Sequence, residues 1–419
     1  MPPYTRGMPH VALVAPHFLE NTNRYVSAFA ALPGLTLSVL SEDSERAVPQ
    51  ALRGRLTHYQ VKSVGDPVEL AQALGRLRRS IGPVDRLTGV LEQLQLPLAE
   101  ARALADVPGM RPGIARRFRD KDRMKEVLRA SGVAVAASSL VSSWAELRAF
   151  VDAVGFPIIV KPQAGVGSRG THRIDSIADV DALARLGVEP SARSPLQAEQ
   201  FIRARELTCE TVTIHGKAVW RSGTQYFPTP LEVLETPWVQ YCVILPREVE
   251  PPWTDFAAIN GKALDALFGD DPRVTGTALT HMEWFLTERG NMYVNEVGAR
   301  PPGVQIMPLM SLAHDVDMIG LWAELISFDR FTPPTRRFAA GAAFFRGQGA
   351  GDRVVEVSGV RAAIEKVGDA LVELRTPKVN QARAPGYEGE GIALVKSTTT
   401  DGVKRALVTL IETIQVRYG

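Results

Sequence analysis

The chain has 419 residues, 45% of them hydrophobic, which exceeds what one hydrophobic core usually holds, so several packed units are expected. Its 48 Lys and Arg residues nearly balance its 46 Asp and Glu residues, and the net charge of +2 argues against partners such as nucleic acid or an anionic membrane. Small-molecule partners are therefore expected. Cys209 and Cys242 are the only cysteines, too few for a disulfide framework or a thiolate metal cage, and they favour a cytoplasmic location.

The first 118 residues predict an N-terminal parallel α/β domain. Short β-rich runs alternate there with helical patterns, over residues 11–15, 25–32, 35–40, 58–61 and 68–79. The first strand ends in Pro16-His17-Phe18 and lacks a glycine fingerprint, which argues against a dinucleotide site. We expect this domain to shape a substrate pocket.

A second domain is predicted over residues 119–330, with a small lid of strands and helices at about 139–199. It opens with a charged helix over 120–131, which Gly132 ends. Ser143, followed three residues later by a glutamate, predicts the cap of the next helix.

The rest of the second domain is expected to consist mainly of long strands and hairpins, up to about residue 300. A helix over 313–326 follows, and a small C-terminal domain over 331–419 completes the core of the second domain. The tail predicts these further elements: strands over 341–345, 353–357 and 391–396 and a last helix over 402–416.

A glycine-rich loop lies in the lid, where residues 156–171 contain a G-x-G-x-x-G string. The string alone is weak evidence, but residues 171–174 read as another strand, so the glycines cap a hairpin and do not open a dinucleotide-binding helix. A P-loop is excluded because Lys161 precedes the glycines. Such a hairpin lets backbone N–H groups approach phosphate oxygens, to which Lys161 adds a positive charge. A flexible solvent loop after a core strand is the alternative interpretation.

A second hairpin carries two carboxylates. Residues 280–297 predict two alternating strands joined by a turn. With a two-residue turn at Arg289-Gly290, Glu283 and Glu296 lie directly opposite each other on one face. Facing carboxylates repel, so the pair predicts a bridging cation, and hard oxygen ligands suit Mg²⁺ shared with phosphates. A three-residue turn would put the glutamates on opposite faces, and two exposed edge glutamates are the alternative.

The chain resembles the ATP-grasp superfamily over about residues 11 to 419. The features that carry the resemblance are, in this order, Asp120-Lys121, Lys161 with its glycine loop, Glu199-Gln-Phe201-Ile202, Glu283, and Glu296 to Arg300. The resemblance implies an α/β (α+β ATP-grasp) fold with an N-terminal parallel domain, a core with a mobile lid, and a small C-terminal domain. It implies ATP and Mg²⁺ as cofactors, with Mn²⁺ as a substitute metal. It also implies that Lys121 and Lys161 contact ATP phosphates. The mobile phosphate cover would be formed by Gly165, Gly167, Ser168 and Gly170.

The resemblance assigns the remaining site residues by position. The hinge that reads the adenine edge would comprise Glu199, Phe201 and Ile202. Glu206 is similar in place to the acidic residue near the ribose, and Phe285 to an apolar residue under the adenine. Glu283 and Glu296 match the magnesium ligands, and Arg300 matches the arginine that steadies the transferred phosphoryl group.

Three positions near these ligands bear on the match. The family usually places Asn two residues after the second glutamate, but this chain has Gly298 there. Asn295 precedes Glu296, and strand alternation points it to the opposite face. His281 shares the face of Glu283 and would meet substrate or phosphate, with a structural histidine as the alternative.

The resemblance is closest to the carboxylate–amine (L-amino-acid and dipeptide) ligases. These phosphorylate a carboxylate with ATP and join the acyl phosphate to an amine, and they imply small-molecule carboxylate and amine partners and a homodimer. A biotin-type or purine-type carboxylase or transferase is one alternative, and a nucleotide-binding module without turnover is another. Four residues of a segment expected to be irregular, 224–252, either line an acceptor pocket or pack ordinarily: Tyr226, Trp238, Tyr241 and Arg247.

Overall fold

The structure of the chain is a computed structural model that describes residues 8–162, 170–185, 187–235, 240–248, 251–269, 276–384, 386 and 388–419. Four residues that the sequence singles out lie outside this range, and their roles stay predictions: Gly165, Gly167, Ser168 and Trp238.

The N-terminal unit is a parallel α/β layer, as predicted. Its elements in chain order are β1 (His10–Val14), α1 (Glu20–Ala31), β2 (Thr36–Ser41), β3 (Thr57–Gln60), α2 (Pro67–Ser80), β4 (Arg86–Gly89), α3 (Gln95–Ala105) and α4 (Pro112–Arg119). The strands pair in parallel in the order β3-β2-β1-β4. Every residue of β1 is buried, as befits a central strand covered on both faces. A short 3₁₀ helix, Glu92–Leu94, follows β4.

The lid is a four-stranded antiparallel sheet with two helices. Helix α5 (Lys121–Ala130) precedes it, and the lid elements are β5 (Ser138–Val141), α6 (Trp144–Val154), β6 (Ile158–Pro162), β7 (His172–Ile174), α7 (Ile177–Arg185) and β8 (Leu196–Gln200). The strand order is β5-β8-β6-β7. Since β6 and β7 pair antiparallel, the glycine string joins two strands of a hairpin, as predicted. Ser143 caps α6, because its Oγ accepts the Glu146 N–H at 3.2 Å.

An eight-stranded antiparallel sheet forms the core. Its elements and their neighbours are β9 (Arg205–Ile214), β10 (Lys217–Phe227), α8 (Pro230–Glu235), β11 (Tyr241–Leu245), α9 (Trp253–Phe268), β12 (Ala278–Leu286), β13 (Met292–Gly298), α10 (Ile306–His314), α11 (Met318–Phe328), β14 (Ala339–Phe345), β15 (Val354–Ser358), α12 (Val360–Val367), β16 (Leu371–Arg375), β17 (Gly391–Ser397), α13 (Thr400–Thr413) and β18 (Gln415–Tyr418). The order is β13-β12-β9-β10-β11-β14-β17-β16, so strands of the tail extend the sheet begun by β9. The domain boundaries themselves stay predictions.

Several expectations about the core are wrong. The single helix over 313–326 is two helices, because Asp315 adopts a left-handed conformation (φ 57°) after α10 and the Asp317 side chain caps α11. The sixteen-residue helix α9 was not expected between strands. The last helix ends at Thr413, where β18 follows.

The aromatic residues considered for an acceptor pocket belong to the core strands. Tyr226 on β10 and Tyr241 on β11 are 4% and 0% exposed, and their rings lie 6.0 Å apart. Both belong to the main hydrophobic core, so ordinary packing explains them.

The N-terminal unit packs on the core through aromatic contacts. Tyr25 and Phe29 of α1 meet the Trp322 ring of α11 edge-on, at centroid distances of 5.5 and 5.4 Å. Such contacts add about 0.5–1.5 kcal/mol each beyond the burial of their area. In the parts of the chain that the structure describes, no helix has the length and apolar character to cross a membrane.

His314 on α10 predicts a loss of stability in acid. The imidazole is 3% exposed, its Nδ1 lies 2.8 Å from the Met310 carbonyl oxygen, and burial lowers its pKa from 6.5 to about 4. The unfolded chain therefore binds the proton more tightly than the folded chain does. The contribution of His314 to stability is fully present above pH 6.5 and is lost as the pH falls toward 4. We expect about 2 kcal/mol less unfolding free energy from this residue at pH 4.5 than at pH 7.

Urea unfolding of the wild type and of His314→Phe at both pH values measures this loss. The variant should lose correspondingly less stability on acidification, whatever its stability at pH 7. An identical loss in both proteins would show that His314 is not the group responsible.

Candidate active site

A cavity of about 580 Å³ lies between the lid and the large sheet. It gathers residues that are far apart in sequence and that the family resemblance singled out. These are Lys121, Lys161, Glu199, Phe201, Ile202, Glu206, Glu283, Phe285 and Glu296. Its volume is within the range of small-molecule sites.

Two lysines and a glutamate form a buried charge cluster at the lid side of the cavity. Glu199 on β8 lies 2.9 Å from Lys161 Nζ on β6 and 2.6 Å from Lys125 Nζ on α5. Burial raises the pKa of Glu199, but the two ammonium groups outweigh it and bring the pKa to about 2. For Lys125, 1% exposed, burial prevails and lowers the pKa to about 8.

Sequence reasoning missed Lys125. Lys121 and Lys125 are one helical turn apart on α5, so the i, i+4 spacing places both on the face turned toward the site. That spacing near the start of the predicted charged helix was the available signal.

The hairpin β12–β13 pairs Glu283 directly with Glu296, as the predicted register requires. This register arises in another way than predicted, because the predicted two-residue turn at Arg289-Gly290 is wrong. Thr287 N donates to Asn291 O at 3.0 Å, which leaves three residues in the turn. A β-bulge between the Glu283–Glu296 and Trp284–Val294 pairs restores the register.

The bulge also changes the direction of Asn295. This residue is the extra one on β13, and it lines the same cavity as Glu283 and Glu296. The expectation that strand alternation points it to the opposite face is therefore wrong, because a bulge interrupts that alternation. Three oxygen-bearing side chains consequently face the cavity from one hairpin.

The carboxylates of the hairpin lie in a strong local field. Lys121 Nζ is 2.5 Å from Glu296 Oε1. Burial raises the pKa of Glu296, but Lys121 and Lys161 outweigh it and lower the pKa to about 2. For Glu206 on β9, burial and the Glu283 carboxylate together raise the pKa well above its usual value. A cation bound at Glu283 would relieve this repulsion.

His281 lies behind the cavity and is not part of its lining. Its Nδ1 is 2.9 Å from Glu210 Oε1 and its Nε2 is 3.5 Å from Glu283 Oε1. Burial lowers the pKa of His281, but the two carboxylates outweigh it and raise the pKa to about 9. The residue supports Glu283 from behind, and its contact with substrate or phosphate stays a prediction.

Glu210, which sequence reasoning missed, completes this support. It is fully buried on β9 and accepts hydrogen bonds from Thr208 Oγ1 at 2.7 Å and Thr224 Oγ1 at 3.2 Å. The alternation of Glu206, Thr208 and Glu210 along one face of β9 was the available signal.

Arg300 follows β13 and is held by the N-terminal unit. Its Nη2 forms an ion pair with Glu92, and Arg119 Nη1 lies 3.3 Å from the other oxygen of Glu92. Arg300 does not belong to the lining of the ATP-sized cavity. Sequence reasoning missed Glu92, since a single glutamate before a helix carries no motif.

Two further residues lie in the lid, at or near the cavity. Arg173 on β7 covers the Phe201 ring at 4.5 Å from its centroid and lines the cavity. Gly170 has a φ of 68°, and a Cβ there would approach Pro162 Cγ to 3.1 Å, so the hairpin at this point favours glycine. Gly170 itself is not among the lining residues.

Comparison with known proteins agrees with this geometry. Residues 120–212 match the family described as carbamoyl-phosphate synthase L chain, ATP binding domain. The structure superposes on the L-amino acid ligase from Bacillus licheniformis with a TM-score of 0.74 at 17% identity, over 99% of this chain and 100% of that one. The chain has the fold of the ATP-grasp proteins. ATP-grasp ligases use ATP with Mg²⁺.

Relatives of this chain by sequence are ligases. A D-alanine–D-alanine ligase from Kocuria rhizophila is 26% identical over 60% of this chain, and an L-arginine-specific L-amino acid ligase from Bacillus subtilis is 25% identical over 61%. The matches span 65% and 60% of those relatives, less than two thirds of their length.

Proposed function

We propose that the protein is an ATP-dependent carboxylate–amine ligase. It phosphorylates the carboxylate of an amino acid or related small acid and joins the acyl phosphate to an amine, releasing ADP and phosphate. The observation that carries the proposal is a single cavity in which Glu283 and Glu296 face each other while Lys121 and Lys161 supply positive charge. The sequence relatives, which join amino acids, support an amine as the nucleophile.

ATP occupies the cavity with its adenine at the lid hinge. Phe201, Ile202 and Phe285 supply apolar surface, and Glu206 lies on the adjacent strand for the ribose. Lys161 and Lys121 bind the phosphates. Because Lys121 is paired with Glu296, it exchanges that partner for a phosphate oxygen when ATP enters. The loop with Gly165, Gly167, Ser168 and Gly170 covers the phosphates.

The hairpin residues fit magnesium. Glu283 and Glu296 face each other, and Asn295 adds an amide oxygen, all hard donors of the kind that Mg²⁺ prefers. Among the described residues no group of three or more His, Cys, Asp or Glu side chains forms a metal cage, so the ion is shared with the phosphates. When bound, Mg²⁺ neutralises charge on the transferred phosphoryl group, and Mn²⁺ serves as a substitute.

Arg300 completes the site from the N-terminal side. Phosphoryl transfer requires positioning and charge neutralisation more than covalent catalysis. A guanidinium held by Glu92 and backed by Arg119 is oriented before substrate arrives. We assign to Arg300 the stabilisation of the transferred phosphoryl group, and to His281 the support of Glu283.

The proposal is tested with the purified protein, ATP, Mg²⁺ and a panel of amino acids alone and in pairs. Phosphate release that depends on amino acids, with a new amide in the mass spectrum, is the expected result. Turnover that depends on bicarbonate with biotin or a purine ribotide would replace the proposal with a carboxylase. Tight ATP binding without turnover on any substrate would indicate a nucleotide-binding module.

We propose a cytoplasmic location for the protein and a homodimer as its oligomeric state. Both cysteines are free and buried, as in proteins of reducing compartments. Cell fractionation tests the location, and light scattering of the purified chain tests the dimer.

Asn295→Ala should weaken magnesium-dependent binding of ATP about tenfold, because it removes one oxygen donor that faces the cavity. Calorimetric titration with ATP at several Mg²⁺ concentrations measures this. Asn291→Ala, in the exposed turn of the same hairpin, is the matched control and should bind like the wild type. Equal magnesium dependence in all three proteins would exclude Asn295 from the metal site.

A further inference from the structure

A second cavity, of about 330 Å³, lies between the N-terminal unit and the core. Strand β4 is the edge strand of its sheet, and all four of its residues line one wall. The other wall comes from the start of β12 and from α11, with Ala278 and Trp322. This cavity shares no lining residue with the proposed ATP cavity, so it is a separate space.

Three arginines line this cavity, and two of them are neutralised. Arg86 Nη2 lies 2.7 Å from Asp329 Oδ2, and Arg300 is paired with Glu92. Arg102 on α3 is different. Among the residues that the structure describes, it forms no ion pair with a carboxylate.

The guanidinium of Arg102 is fixed by backbone carbonyl groups. Its Nε donates to Leu87 O at 3.0 Å and its Nη1 donates to Met110 O at 3.0 Å. Its Nη2 has no hydrogen-bond partner within the described part of the chain. The group is thus oriented, charged and left with one free donor beside the cavity.

Arg102 has no ion pair within the described residues, and the Asp85 carboxylate that also lines the cavity accepts a hydrogen bond from His10 N at 2.8 Å. Burial first, and then the guanidinium groups of Arg111 and Arg86, lower the pKa of Arg102 to about 10, so it stays protonated at neutral pH. Arg102 is half-buried, and an anionic ligand beside it would supply a counter-charge.

The rest of the lining is largely apolar and favours a ligand with an aliphatic chain. Leu98, Leu279 and Ile326 contribute aliphatic surface, while Thr88 and Thr277 add hydroxyl groups. The volume is at the lower end of the range for small-molecule sites, which restricts the occupant to a few heavy atoms. A fully hydrated inorganic anion would leave the apolar wall without a partner.

We propose that this cavity binds a small aliphatic carboxylic acid in its ionised form, with Arg102 Nη2 donating to the carboxylate. The site is separate from the ATP cavity, because none of its lining residues lines that cavity. Its occupant lies next to Arg300, which lines the same space.

Calorimetric titration of the full chain, without ATP or magnesium, tests the proposal. The probes are acetate, butyrate, 3-methylbutanoate and inorganic phosphate. We expect the branched and four-carbon acids to bind with a Kd below about 10 mM, more tightly than acetate or phosphate. Saturating ATP with Mg²⁺ should not displace the acid, because the two cavities share no lining residue.

Variants assign the binding to Arg102. Arg102→Gln should weaken it about 10- to 100-fold, the effect of losing one charged hydrogen bond. Arg111→Gln is the matched control, because Arg111 is exposed and does not line the cavity, and it should bind within about twofold of the wild type. Should Arg102→Gln not fold, Ala278→Leu keeps Arg102, fills the cavity and should abolish binding.

Three results would overturn the proposal. They are the absence of acid binding to the wild type, equal binding by Arg102→Gln, or displacement of the acid by ATP. A preference for phosphate over every acid would overturn the ligand class as well.

Discussion

Glu296→Gln is expected to lower kcat for ATP-dependent phosphoryl transfer by about 100- to 1000-fold. The substitution removes one of two facing carboxylates and leaves Lys121 without the partner 2.5 Å away. A neutral amide is a weaker magnesium ligand and does not balance Lys121, so both charge neutralisation and lysine placement are lost. ADP release at saturating ATP and Mg²⁺ measures the effect.

The matched control is Glu288→Gln, which makes the same chemical change in the exposed turn of the same hairpin. It should retain wild-type kcat within about twofold. Wild-type activity in Glu296→Gln would refute the metal assignment, whereas a loss of activity in both variants would point to damage to the hairpin.

Glu199→Gln is expected to lower the free energy of unfolding by about 3 kcal/mol. Glu199 is 5% exposed and neutralises both Lys125 and Lys161, so its loss leaves two buried ammonium groups without a counter-charge. Urea unfolding at pH 7 measures the change. Glu126→Gln on α5 is the control, because its exposed pair with Arg123 should contribute less than about 1 kcal/mol.

The difference between wild type and Glu199→Gln should depend on pH in a defined direction. The pKa of Glu199 is lowered from 4.5 to about 2, so its contribution is complete above pH 4.5 and is lost as the pH falls toward 2. The two proteins should therefore converge in acid. A stability gap that is constant from pH 5 to pH 2.5 would contradict this account.

The central geometry of the site follows from residue spacing. The pairing of Glu283 with Glu296 needs only two alternating strands and a short turn, and the glycine hairpin needs only a strand on each side of the string. Both features are local, so they can be predicted from the sequence. The register was correct although the turn was not, since the predicted two-residue turn and the observed three-residue turn with a bulge give the same pair.

The supporting charges could not be predicted in the same way. Glu92 reaches Arg300 across more than two hundred residues of chain, and Glu210 reaches His281 from a neighbouring strand. Such contacts depend on how separate elements pack, and one charged residue without a periodic pattern does not reveal its partner. The same limit applies to helix α9 and to the break after Asp315, where tertiary packing overrides the local pattern.

The bulge at Asn295 has a consequence for how related chains are recognised. An Asn–Glu sequence with one extra residue in the strand presents an amide and a carboxylate to the same cavity, the pair of groups that the ATP-grasp resemblance leads one to expect from Glu-x-Asn. A profile that scores fixed positions would count Gly298 as a lost ligand and class such chains as inactive. Whether a homologue retains its ligands should therefore be judged from strand pairing. An inserted residue can place the donor before the neighbouring glutamate in the sequence and still leave its side chain facing the cavity.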